Sequence, residues 1–441
     1  MRQNIKFDLA HLLPNAFAFS IILTLLLFIA GLIKGLSFRF LSIAWTQGLW
    51  SLHTFSMQMV LILALGFTLA RAPVVRKCIT YIVKNLATTP RKAFFVVTLL
   101  SFVMSWLNWG LGLMVSAVLA LEVMKVFPRL KRGPLIAASY SGFLVWHGGL
   151  SGSIPLKLTD PSLEVLALLG GPLDLGSTVF SPFNIFLSLI MLLSFLVFNT
   201  FVLAKSSNSS SSENESHGEV NGVLIQEYQR ESYQNRWVDF LEQTRVLLIP
   251  IVLIGVVGAV SFVSAGLGLN QMILICFLVC FLIYPSLNAL YFQFSNTLKD
   301  CAGIIFLFPL YAALMGVMKQ SGLGADIAQF FVRIASVETL PVLTFLSAGI
   351  VNIFIPSGGG QWVVQGPIAL KAVSEVGGSP QLIAMALAWG DAWTNMIQPF
   401  FALPILGVTQ VSLGELLASS IKVFILAGFI LLSFFLISGY F

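Results

Sequence analysis

Asp391 lies in GDAWTNMIQP (Gly390 to Pro399), inside an otherwise apolar segment, where an ionisable side chain is costly and usually serves a function. A carboxylate there can hold a cation or carry a proton. His147 opens HGGLSGSIP (His147 to Pro155), and an imidazole, the side chain suited to exchanging a proton near neutral pH, permits proton coupling. The other polar residues at comparable places are neutral. They are Asn108 beside Gly110, then Ser151 and Ser153, then Ser357 with Gly358, Gly359 and Gln361, and finally Thr394, Asn395 and Gln398. Amide and hydroxyl oxygens suit a hard, weakly held cation such as Na+, for which Asn108, Ser357, Asp391 and Asn395 are the candidate ligands. Backbone N–H groups at half-helix starts suit a carboxylate. No Lys or Arg lies deep in an apolar run, so an anion would be held without a guanidinium clamp. That favours a small, singly charged ligand over di- or tricarboxylates.

A rival chemistry is intramembrane hydrolysis, because Gly149 to Gly152 read GLSG, a serine-nucleophile pattern. A serine mechanism needs a base within hydrogen-bond reach. The only later histidine is His217, in a polar stretch, and His147 is awkwardly close. Aspartyl chemistry needs two carboxylates, and Asp391 is the only deep one. The expectation is a protein that is not an enzyme and holds no cofactor beyond a coupling Na+.

These residues can face one another only if the helices carrying them are broken. Plain spans of about one bilayer crossing read at 15–36, 50–70, 182–203, 246–265, 270–290, 300–318 and 418–440. Residues 93–127 are one apolar stretch interrupted halfway by Asn108 to Gly112, the pattern of a hairpin that dips in and returns. Residues 340–372 repeat it around PSGGG (Pro356 to Gly360), and 135–158 and 382–407 are broken at the Gly- and Pro-containing motifs above. Each half thus has a hairpin, a broken helix and an intact span. Freed backbone groups cost several kcal/mol each in hydrocarbon, so such breaks survive where they line a cavity or bind something. Charge supports the hairpin. Six basic residues and no acid occupy 71–92, and Lys125, Arg129, Lys131 and Arg132 follow the stretch. A re-entrant hairpin puts both clusters in the cytoplasm, and the halves become inverted repeats.

Composition fixes the class. The 441 residues are 57% hydrophobic and 10% charged, with mean hydropathy +0.93, against about 45–50% and about 25% for soluble chains. The expected fold is an all-α polytopic membrane protein of two inverted repeats, each with a re-entrant helical hairpin and a broken transmembrane helix. Residues 1–204 form the first repeat and 244–441 the second. Between them, 205–243 are a Ser-, Asn- and Glu-rich cytoplasmic linker expected to be largely disordered, with a helical patch near Tyr228 to Leu241. The net charge of +6 follows the positive-inside pattern and points to no nucleic acid. Cys78, Cys276, Cys280 and Cys301 read as small core residues, and 15–36 as a retained span rather than a cleaved signal.

NWGLGLMVSA (Asn108 to Ala117), GFLVWHGGLSGSIPL (Gly142 to Leu156), NIFIPSGGGQWVVQGP (Asn352 to Pro367), AWGDAWTNMIQPFFALP (Ala388 to Pro404) and GLWSLHTFSMQMVLI (Gly48 to Ile62) resemble the signature segments of the bacterial short-chain fatty acid transporter family. The likeness spans nearly the whole chain. It implies a multi-pass inner-membrane carrier for short monocarboxylates such as acetoacetate or butyrate; the residues above add the expectation of coupling to Na+ or H+, and the charge pattern that of a cytoplasmic N-terminus. The family often has Glu at the place of Asp391 and Gly at the place of His147, so the resemblance leaves the coupling ion open. It permits a homodimer in the lipid bilayer. A carrier or channel for another small ion is the alternative from the same architecture.

Overall fold

The structure, a computed structural model, describes residues 15–159, 171–207, 235–263 and 269–439. Among these every regular element is a helix. Asn15 caps α1 (Ala16–Ile33), Ser37 caps α2 (Phe38–Gly48), and a short turn leads into α3 (His53–Arg71). Pro73 then starts α4 (Pro73–Leu86), a short helix whose basic residues Arg76, Lys77 and Lys84 are exposed. The first hairpin is α5 (Pro90–Leu107) and α6 (Trp109–Val126), which pack together and are joined by the single extended residue Asn108. The first broken helix comprises α7 (Arg132–Ser141), a 3-10 stretch (Gly142–Gly148), an extended link and α8 (Ser153–Leu158). An intact helix α9 (Pro182–Phe198) closes the first half and runs on through a π turn, Asn199–Leu203.

After the short α10 (Arg236–Gln243) come α11 (Leu248–Val263) and α12 (Leu269–Ile283). The span expected over 270–290 ends early. Pro285 has no N–H to donate and disfavours helix at Tyr284, and Ser286 caps a new helix, α13 (Leu287–Leu298). α14 (Ala302–Gln320) follows, then α15 (Leu323–Arg333) after Gly322, which turns the chain at φ 72°. The second hairpin is α16 (Leu340–Phe354) and α17 (Gly358–Val376). The second broken helix is α18 (Pro380–Thr394) and α19 (Pro399–Thr409), and α20 (Leu413–Ser438) ends the fold.

The halves therefore carry five matching units in one order: a long apolar helix, a short polar-faced helix, a hairpin, a broken helix and an intact helix. Sequence reading supplied the last three; α4 and α15 were missed because their apolar stripes are too short to read as spans. Seven helical segments among the described residues are long and apolar enough to cross a bilayer. Their outer surfaces expose Leu25, Ile33, Leu193 and Phe429, as lipid contact requires, while Tyr140, Phe143, Phe308, Phe345, Trp389 and Phe400 are fully buried around the breaks. Cys276, Cys280 and Cys301 are buried, but Cys78 is exposed on α4. Most of the expected polar linker falls on 208–234, outside the described residues. So does the start of its helical patch, whose end is α10.

Candidate functional site

At the first hairpin tip, Asn108 caps α6. Its Oδ1 accepts from the N–H groups of Gly110 and Leu111 at 3.0 and 3.2 Å, which leaves Nδ2 buried and without a partner. The tip is stitched to the first broken helix. Leu150 N–H donates to Trp106 O at 2.8 Å, and Trp109 N–H to Ser151 Oγ at 2.8 Å. Only glycine allows this approach, since a Cβ on Gly149 would lie 2.2 Å from Trp106 O. Ser151 Oγ is thus an acceptor in a tight backbone contact, while His147 Nδ1 is directed to other partners. The arrangement of a serine nucleophile and its base is not formed here.

His147 is the meeting point. Fully buried, it stacks on Trp146 with ring centroids 3.8 Å apart. Its Nδ1 lies 3.0 Å from Ala388 O and 3.0 Å from Asp391 Oδ2. The N–H is aligned with the carbonyl, so the carboxylate is within ion-pair distance, yet neither of its oxygens has an aligned donor. The other face of the imidazole meets the second hairpin tip. A Cβ on Gly358 would lie 2.3 Å from His147 Cε1 and 2.4 Å from Nε2.

On the second half, Ser357 caps α17 by accepting from Gly360 N–H at 3.3 Å, and Gln398 caps α19 by accepting from Phe400 N–H. Asn352 of α16 binds the broken helix through Nδ2, which donates to Asp391 O, Thr394 Oγ1 and Asn395 Oδ1 at 2.7 to 2.9 Å. Gln361 donates to Ala348 O at 2.8 Å and to Gln365 at 2.7 Å. At each broken helix one freed carbonyl is met by a side chain from another helix. Tyr140 OH donates to Asn395 O at 2.8 Å. Asn184 of α9 donates to Gly148 O at 2.8 Å and accepts from Trp389 Nε1 at 2.9 Å.

All four breaks therefore meet, through Trp109, His147, Gly358 and Asp391, beside a cluster of rings. Trp109 lies 6.1 Å from Trp146 and 6.4 Å from Phe401, and Phe143 lies 5.4 Å from Phe401. The hydrogen bonds that fix the caps also fix which atoms remain. Donors without a partner are Asn108 Nδ2, Trp146 Nε1, Asn395 Nδ2, Gln398 Nε2 and Tyr311 OH. Acceptors without one are Asn352 Oδ1, Gln361 Oε1, the Asp391 carboxylate and His147 Nε2, which carries no hydrogen when Nδ1 donates to Ala388 O. Each orphaned buried group costs about 1–3 kcal/mol. A cluster of this size needs bonding partners, as water or as ligand.

Of the residues expected from sequence, Asn108, Gly110, His147, Ser151, Gly358, Gln361, Asp391, Thr394, Asn395 and Gln398 are buried in this assembly, and Ser153, Ser357 and Gly359 are half-buried at its rim. Asn184, Asn352 and Tyr140 were missed. Asn352 stood within the quoted hairpin motif, and Asn184 is a polar residue one turn into an apolar span, so both carried a signal; Tyr140 carried none. Lys157 was also missed. It is exposed, and its Cε is 3.3 Å from where a Cβ of Gly359 would stand, so a cation lies at the rim of the second hairpin tip. Trp393 turns outward, stacking on Phe424 at 4.4 Å and donating to its carbonyl.

Buried polar groups at matched helix breaks, inside a bundle of membrane-crossing helices, define a multi-pass membrane transporter fold with a central polar site. The family model described as short chain fatty acid transporter matches residues 1–437, and this chain belongs to that family. A protein of Escherichia coli strain K12 described as a candidate short-chain fatty acid transporter is 33% identical over 95% of this chain and 94% of its own. One of Haemophilus influenzae with the same description is 32% identical over 92% of each. Two solved structures also align: the YdaH transporter of Alcanivorax borkumensis (15% identity, 97% of this chain and 98% of that one, TM-score 0.45) and MtrF of Neisseria gonorrhoeae (15%, 96% and 95%, TM-score 0.42).

Proposed function

We propose that the chain is a secondary carrier for short monocarboxylates of the acetoacetate or butyrate type, working by alternating access. The observation that supports this best is the division of the unpartnered groups into donors and acceptors. The donors on Asn108, Trp146, Asn395 and Gln398 match a single carboxylate, and the rings of Trp109, Phe143 and Phe401 give a short acyl chain an apolar wall. With no buried guanidinium or ammonium among them, a second carboxylate would go unneutralised. Lys157 adds an exposed cation at the rim of the second hairpin tip.

Asp391 supplies the coupling. A buried carboxylate without an aligned donor calls for a cation or a proton as its partner. Asn352 Oδ1 and Gln361 Oε1 are the neutral oxygens available to share a Na+ with it, and His147 is the group available to share a proton. The Oδ1 atoms of Asn108 and Asn395 and Oγ of Ser357 already accept hydrogen bonds, so Asp391 is the strongest of the four ligands expected from sequence. In this reading the two halves are inverted repeats in the bacterial inner membrane, the N-terminus and 205–243 are cytoplasmic, and access alternates by moving one group of helices against the other.

The test is a thermal-shift panel of purified protein with C2 to C6 monocarboxylates, succinate and citrate, each with and without Na+ and at two pH values. Stabilisation confined to monocarboxylates, and greater with Na+ or at lower pH, is expected. Equal shifts with succinate, or none with any C2 to C6 acid, would overturn the reading.

A further inference from the structure

α4 differs from its counterpart α15 in charge: it carries Arg76, Lys77 and Lys84 with no acid, whereas α15 carries Asp326 and Arg333. Lys77 and Lys84 are exposed beside Val74 and Tyr81, which are exposed by 68% and 69%. A helix that leaves basic and apolar side chains uncovered on one surface has the make-up of an interfacial helix, with stems in the acyl boundary and charges among headgroups. Beside it opens a cavity of about 840 Å³ whose lining includes Arg71, Arg76, Lys77, Thr80, Lys84 and Tyr284, and no acidic residue among the described ones. This cavity is separate from the helix breaks.

We propose that it binds the headgroup of an anionic phospholipid. The shared chemistry is a phosphate anion, and two features favour a lipid over the free ion. A cavity of this size exceeds what a bare phosphate fills, and its wall continues through Tyr81 onto the exposed apolar surface of α4. Lys77 and Lys84 hold the phosphodiester, and Tyr81 supplies a hydroxyl. Arg76 stands behind them, near Glu122 of the first hairpin. Because Thr80 of the same helix donates its hydroxyl to Glu122 Oε1 at 2.8 Å, a lipid held on α4 would brace the base of that hairpin. Basic cavities at the ends of membrane helices recognise anionic headgroups in this way.

The experiment is native mass spectrometry of the full chain exchanged into phosphatidylcholine and titrated with phosphatidylglycerol, repeated with Lys77→Gln/Lys84→Gln and with Lys77→Arg/Lys84→Arg. Retention of phosphatidylglycerol over phosphatidylcholine is expected. It should fall about thirtyfold in the Gln variant, the order anticipated for two headgroup-contacting lysines, and return in the Arg variant. Equal retention of the two lipids, or undiminished phosphatidylglycerol in the Gln variant, would overturn the proposal. So would its displacement by millimolar inorganic phosphate, which would make this a soluble-anion site.

Discussion

Single residues at the helix breaks do more than one job, and their caps decide what remains. Asn108 and Gln398 each use the amide oxygen to close a helix N-terminus and so present the amide nitrogen to the centre. Asp391 has no such duty. Asp391→Asn keeps its shape and removes its charge, so we expect the protein to be produced and folded while uptake loses its dependence on a Na+ or proton gradient, falling about tenfold or more. Wild-type uptake across the full range of pH and Na+ would return Asp391 to a structural role. Gly358→Ala places a methyl against His147 Cε1 and Nε2. The imidazole must then leave Ala388 O, which should cost about 1–3 kcal/mol of stability and weaken monocarboxylate binding, read as a lost thermal shift. Sequence located these residues because charge, amides and glycines are rare and conspicuous in apolar runs. It could not tell that Ser151 would be an acceptor for Trp109 N–H or that Asn352 would bridge the second half, because both roles depend on which segments lie side by side.

The elements were legible where their signal is long. Hairpins and broken helices announce themselves because a bilayer penalises any unpaired backbone, so each interruption stands out against the apolar background. α4 and α15 were not legible, being shorter than a crossing. The helix end at Pro285 was passed over because apolar residues flank it on both sides. α4 offers a direct check of orientation, since its Cys78 is exposed while the other three cysteines are buried. If the basic clusters lie in the cytoplasm, a membrane-impermeant thiol reagent should label inverted vesicles and leave intact cells unlabelled. Labelling of intact cells would place α4 outside and invert the topology. The hairpin arms α5 and α6, each 18 residues, are about 27 Å long. Both basic clusters then share a side whatever depth the tip reaches.

At the scale of the molecule, five units recur in order and their interruptions converge on one buried place, where Tyr140, His147 and Trp109 of the first half touch Asn395, Asp391 and Phe401 of the second. A site shared between repeats can alter when one half moves against the other, which is what alternating access asks of a carrier. Membership of the short-chain fatty acid transporter family agrees with the chemistry of the unpartnered groups. The decisive measurement is uptake of labelled butyrate by proteoliposomes under an imposed Na+ or proton gradient, with unlabelled butyrate added inside. Saturable, gradient-dependent uptake that is stimulated by the internal acid and abolished in Asp391→Asn is the predicted result; uptake no greater than that of protein-free liposomes would contradict the account.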